Sequence, residues 1–335
     1  MAEGTRDARQ RRGSGRPPPP LVAALDLGTN NCRLLVARST RRGDLRVVDS
    51  FSRIVRLGEG VAQSGRLSEA AIIRTLEALK VCAGRLASNK VSRVRAVATE
   101  ACRRAANASD LVERAQAESG IALEIISSDE EARLAAIGCA PLVDGRSEGA
   151  LIFDIGGGST EIIWMQRDHK AQPRVVASTS QKLGVVTLAE TWTGGPLDPD
   201  GYGRMRAELI DHLRPVKVAM DEAAPFDPAT HHLLGTYGTV TTLAAVALGL
   251  SRYERAKVDA SWHACRDIAA VIDRLVGLDL KSRAAIGCIG RDRADLIVPG
   301  CAIFAAISAL WPCERLRVAD RGLREGMLRE LMGRR

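Results

Sequence analysis

Two segments of this chain share one pattern, and that likeness restricts the fold more than any other feature of the sequence. Leu25-Asp26-Leu27-Gly28-Thr29-Asn30-Asn31-Cys32-Arg33-Leu34-Leu35-Val36 and Phe153-Asp154-Ile155-Gly156-Gly157-Gly158-Ser159-Thr160-Glu161-Ile162-Ile163-Trp164 each read as an apolar strand ending in Asp, a turn of small residues, and a second apolar strand. They lie 128 residues apart, the size of a domain. The residues after both turns are apolar or β-branched, which favours a hairpin over the strand-to-helix turn of a dinucleotide fold. Neither G-x-G-x-x-G nor G-x-x-x-x-G-K-[ST] occurs. Two facing hairpins, each with a carboxylate and a cluster of backbone N–H groups, would floor a cleft able to hold a phosphate chain and its metal from both sides.

Between the hairpins, strands alternate with helices, which predicts an α/β fold. Ser68 can cap a helix with the apolar stripe Ile72, Ile73, Leu76, Leu79 and Leu86. Val94 to Thr99 and Leu123 to Ile126 read as strands, and Asp110 with Glu113 has the spacing of a capping box for a helix toward Ser119. Further on, Leu233 to Val240 reads as a strand running into a third Gly/Thr turn, which opens a helix at Thr241 or Thr242 and offers its amides to an anion.

The 335 residues are 46% hydrophobic and 26% charged, enough for two domains with their own cores. The net charge of +8 is compatible with nucleic acid, anionic lipid or a highly phosphorylated small substrate. Much of it comes from Arg6, Arg9, Arg11, Arg12 and Arg16, so the remainder is only mildly basic. The segment 1–20, ending in four prolines, is predicted to be a disordered tail, and it lacks the apolar stretch of a secretory signal, which implies a cytoplasmic protein. Eight scattered cysteines with no Cys-x-x-Cys pair read as small buried hydrophobes in a reducing compartment. The uncharged run Leu296 to Cys313 is short for a membrane span and interrupted by prolines, so a buried core helix is expected and no membrane partner.

With these turns in hand, the chain from about Leu21 to its end resembles the exopolyphosphatase and guanosine pentaphosphate phosphohydrolase family (Ppx/GppA), a branch of the actin, sugar-kinase and heat-shock ATPase superfamily. Five blocks carry the resemblance in order: Asp26 to Asn30, Ala98-Thr99-Glu100-Ala101-Cys102-Arg103 to Asn107, Glu124 to Leu134, Asp154 to Glu161, and Arg293-Ala294-Asp295 to Gly300. The resemblance implies two ribonuclease H-like domains with a cleft between them: residues 21–128, completed by a C-terminal helix at about 316–335, and residues 129–315. It implies hydrolysis of the terminal phosphoanhydride of polyphosphate or guanosine pentaphosphate, with no nucleic-acid partner, and a dimer is common among such enzymes. Three departures stand out. Asn31 replaces a frequent Ser, Tyr237 replaces a small residue in the third turn, and the extra helical domain of long forms is not present.

By that resemblance, Glu131 activates water, Glu161 is a second essential carboxylate, and Arg103 contacts phosphate. Ser128 and Glu131 also have capping-box spacing, so this Glu could merely close a helix start, and Glu161 could point to solvent from an edge strand. Asp26 and Asp154, at matching places in the repeat, suit Mg2+, which takes oxygen ligands and keeps several waters; turn-capping is the alternative. Gly28, Thr29 and Asn30 with Gly156, Gly157, Gly158 and Ser159 would approach phosphate oxygens through their amides. Gly235, Thr236, Gly238 and Thr239 would bind downstream phosphates or a nucleoside, or else form a helix-packing turn. A kinase of the same superfamily and a sensor that binds without turnover are the rival readings.

Overall fold

The structure, a computed structural model, describes residues 19–40, 44–168, 173–194 and 198–333. Most of the proposed tail, residues 1–18, therefore lies outside the described residues. Two mixed sheets with helices packed against them make an α/β fold, as expected.

The first sheet contains β1 (Val22–Leu27), β2 (Asn31–Ser39), β3 (Leu45–Ile54), β4 (Arg93–Ala98) and β5 (Glu124–Ile125), in the order β3-β2-β1-β4-β5. The second contains β6 (Gly149–Ile155), β7 (Thr160–Arg167), β8 (Pro173–Gln181), β9 (His231–Thr236), β10 (Trp262–Ala264) and β11 (Arg315–Ala319), in the order β10-β11-β9-β6-β7-β8. Both hairpins form, with Asp26 opposite Arg33 in one and Asp154 opposite Glu161 in the other. The duplication extends through a third strand. β3 pairs with β2 and β8 with β7, and both ladders shift register at the same place, between Val36 and Ala37 and between Trp164 and Met165. A shared bulge keeps the twist of the two meanders alike, so their turns can meet as near-equivalents.

β1 is apolar apart from Asp26 and buried along its whole length, because helices cover both faces of the first sheet. The helix Glu69–Ser88 lays Ile72, Leu76 and Leu79 on one face, and Ser68 caps it by accepting from Ala71 N at 3.2 Å. Ile73, expected in that stripe, is 45% exposed and so lies at its edge. The helix toward Ser119 starts at Ala108, two residues before the expected Asp110 cap, and Asn107 spends its side chain on Leu67 across the fold rather than on the helix. Helix Ile297–Leu310 has no charged residue and is buried almost all round, filling the core of the second sheet, where Phe304 meets Phe153 at 5.8 Å between ring centroids. All eight cysteines are free and seven are buried. No helix among the described residues is long and apolar enough to cross a membrane.

Two helices join the sheets. Ser128–Cys139 gives Leu134 to the core under the first sheet and Ala132, Ala135, Ala136 and Cys139 to the core under the second. Leu323–Leu331 follows β11 of the second sheet but packs Leu323, Met327 and Leu328 against β1 of the first. The pair touch backbone to backbone. A Cβ at Gly326 would sit 2.0 Å from Leu134 O, and one at Gly138 would sit 2.0 Å from Gly322 O. Because backbone cannot move aside cheaply, Gly326→Ala is expected to destabilise the protein by about 3 kcal/mol in urea melts, whereas Gly203→Ala, an open helical position, should be neutral or slightly stabilising. Equal midpoints for the two variants would contradict this close contact.

Candidate active site

Each hairpin turn is closed by the same backbone bond: Gly28 N donates to Asn31 O and Gly156 N to Ser159 O, both at 2.9 Å. The turns face each other in direct contact. A Cβ at Gly157 would stand 3.2 Å from Asn30 N, and one at Gly158 would stand 2.6 Å from Thr29 Oγ1, so glycine is what permits the approach.

One cavity opens above them. Its walls include Asp26, Gly28, Thr29 and Asn30 from the first turn, Asp154 and Gly156 through Ser159 from the second, and Gly238 and Thr239 from the third. Glu131 and Glu161 line it as well, so the two candidate catalytic carboxylates share one space. Three of the expected residues lie elsewhere. Gly235 is inside β9 against Val240 and Phe153, and Thr236, the last residue of β9, is fully buried opposite Asp154. Arg103 stands behind Glu131, donating to Glu131 Oε2 at 2.8 Å and to Ile126 O at 3.0 Å and pairing with Glu100 at 3.0 Å.

The helix carrying Glu131 starts one residue earlier than the capping-box reading requires. Ser127 is its cap, accepting from Glu130 N at 3.2 Å, and Ser128 is already helical. Glu131 is therefore left for Arg103 and the cavity. Glu161 is 2% exposed, not solvent-facing, and its Oε1 accepts from Ser159 Oγ at 2.7 Å and Ser180 Oγ at 2.8 Å. The third turn begins its helix at Tyr237, with a break at Gly238, ahead of the expected Thr241 or Thr242.

Four acids in one cavity cannot all ionise freely. Burial, then the charge of Glu161, raises Glu131 well above the ordinary carboxylate range despite the Arg103 bond. Burial also raises Glu161, against the pull of Ser159, Ser180 and Arg103. Asp154 is pushed up to about 7 by burial and by Glu161, with Arg33 opposing, and Asp26 is raised by burial against Arg33 and Arg324. Such a cluster favours uptake of a proton or a cation. Among the described residues no three Asp, Glu, His or Cys side chains gather at cation-ligand spacing. Asp26 and Asp154 nevertheless place two carboxylates on one cavity, oxygen donors of the kind a hard divalent cation takes.

Arg33, Arg293 and Thr99 also line the cavity and were not among the expected site residues, and Tyr237, the departure noted in the third turn, lines it too. Arg33 had a signal in the repeat: it occupies in the first hairpin the place of Glu161 in the second. The same backbone position thus carries a cation on one side of the cavity and an acid on the other.

Two glycine turns thus face each other across a cleft between two mixed sheets, an α/β arrangement that likeness to known proteins places in one family. The chain belongs to the Ppx/GppA phosphatase family, whose model matches residues 35–335. It is 32% identical over 327 residues to exopolyphosphatase 2 of Mycobacterium tuberculosis, covering 93% of this chain and 98% of that protein. Among solved structures, an exopolyphosphatase from Cytophaga hutchinsonii superposes with a TM-score of 0.84 at 25% identity, over 94% of this chain and 99% of the other. A Ppx/GppA family member from Aquifex aeolicus gives a TM-score of 0.77 at 30% identity, over 94% of this chain and 98% of the other. The chain is accordingly a phosphatase-family hydrolase.

Proposed function

We propose that this protein releases the terminal phosphate of inorganic polyphosphate, with guanosine pentaphosphate as the second candidate substrate. The observation that carries the reading is that Glu131 and Glu161 line the same cavity as the two facing glycine turns. The exopolyphosphatase names of its relatives support the choice of polyphosphate.

In this reading Glu131 accepts a proton from a water molecule as that water's oxygen forms a bond to the terminal phosphorus. The P–O bond to the rest of the chain breaks on the opposite side, and the shortened chain leaves with the electron pair of that bond. Arg103 holds one Glu131 oxygen, which fixes the direction of the base. Glu161, fastened by Ser159 and Ser180, orients the water from the other side. Amides of the two turns and the Arg33 guanidinium face the equatorial oxygens, where the transition state spreads negative charge. Asp26 and Asp154 would hold Mg2+, which supplies neutralising charge to the phosphate oxygens. The lobes we assign are residues 21–128 with the helix Leu323–Leu331, and residues 129–315 extended through β11.

The test measures phosphate release from long polyphosphate, tripolyphosphate and guanosine pentaphosphate, each with magnesium and with chelator. We expect release from polyphosphate that chelator lowers by at least about a hundredfold. Tight binding of chains with no release under any metal condition would favour a sensor, and ATP loss that requires an alcohol acceptor would favour a kinase.

A further inference from the structure

The third turn holds a tyrosine in a backbone conformation that tyrosine rarely adopts. Tyr237 has φ 44° and Gly238 has φ 34°. The left-handed region costs an L side chain about 1 kcal/mol, and such conformations persist where the surroundings fix them. Here the surroundings are specific. The Tyr237 hydroxyl donates to Glu325 Oε2 at 2.5 Å, and Glu325 is itself held by Gly322 N and Arg255, each at 3.0 Å. The guanidinium carbons of Arg33 and Arg324 lie 5.0 and 5.1 Å from the ring centroid, within cation–π range. Behind the ring, a Cβ on Gly322 would come within 2.7 Å of a ring carbon. The ring is wedged in place, and the residue is only 4% exposed.

Tyr237 lines two neighbouring cavities. One is the cavity of the glycine turns; the other is a second cavity, and Arg33, Tyr237, Gly238 and Arg293 line both. The second cavity adds Arg255 and Arg324, with Asp320 as its acid. With Arg255 paired to Asp320 and Glu325, the guanidiniums of Arg33, Arg293 and Arg324 would draw an anionic chain onward from the first cavity. The ring presents no donor to that chain, since its hydroxyl is taken up by Glu325.

We propose that Tyr237 is the residue that sets chain-length preference: its ring blocks a phosphate chain from passing out of the catalytic cavity into the arginine-lined cavity behind. The inference rests on the polyphosphate reading above. With the wall in place the enzyme handles short chains best, and with the wall removed a longer chain gains contacts to the rear arginines.

Tyr237→Gly removes the ring and keeps a residue that adopts positive φ freely, while Gly322 N and Arg255 still hold Glu325. Its kcat/KM for long polyphosphate relative to tripolyphosphate should rise about tenfold over wild type, the gain of one charge-assisted contact. Tyr237→Phe keeps the ring and should keep the wild-type ratio. A folded glycine variant with the wild-type ratio overturns the proposal, as does a phenylalanine variant that shifts the ratio equally. Should Tyr237→Gly fail to fold, Tyr237→Asn replaces it, because Asn also tolerates the left-handed region. Calorimetric binding of the same two chains to Glu131→Gln, with and without Tyr237→Gly, scores the wall separately from turnover. If wild type releases phosphate from no chain, the functional reading falls, and the binding ratio still decides whether the ring is a barrier.

Discussion

Glu131→Gln should slow phosphate release from polyphosphate roughly a thousandfold, within the range general-base removal costs, while chain binding stays within a few-fold of wild type. Gln preserves the shape and still offers Arg103 an oxygen, so the 2.8 Å bond and the helix that carries it survive. Basicity is what is lost. Burial and the neighbouring Glu161 raise the Glu131 pKa, making its carboxylate a better proton acceptor than an exposed glutamate. A single-turnover measurement separates this step from product release. Turnover by the variant within about threefold of wild type would sink Glu131 as the base.

The second large effect is a stability gain from removing a candidate metal-binding residue. Burial and the charge of Glu161 push the Asp154 carboxyl up from an ordinary 3.8 to about 7. Between those values the unfolded chain has already lost the proton that the folded state keeps. Folding stability therefore falls as pH rises through that window and levels off above it. Asp154→Asn escapes the penalty. In chelator it should match wild type near pH 4 and exceed it by about 2 kcal/mol at pH 8, measured by urea denaturation. It should also weaken divalent-cation stimulation of phosphate release at least about tenfold. For wild type, cation affinity should rise as pH increases from 6 toward 7, because cation binding displaces the retained proton. Identical denaturation midpoints for the two proteins at pH 8 would show that the buried charge is compensated in some other way.

Both effects come from one compromise in the cavity. A cavity that gathers Asp26, Glu131, Asp154 and Glu161 is costly to an empty protein and useful to one that binds a cation and a polyanion. The serine bonds to Glu161 and the Arg103 bond to Glu131 offset part of that cost and also fix the two acids in direction. Arg103 contributes to this site from behind a carboxylate, although in the sequence it stood as a phosphate contact.

Local chemistry by itself determined the hairpins, the Asp that ends each first strand, the Ser68 cap and the buried helix Ile297–Leu310, because each follows from nearest neighbours and a repeat of two or 3.6 residues. Tertiary structure alone decided that Glu131 turns to Arg103, that Asn107 serves Leu67, that Ile73 stays half-exposed, and that Arg33 and Glu161 line one cavity from equivalent places in the repeat. A side chain's partner is whatever the whole fold brings within about 4 Å, and residues far apart in sequence set that distance.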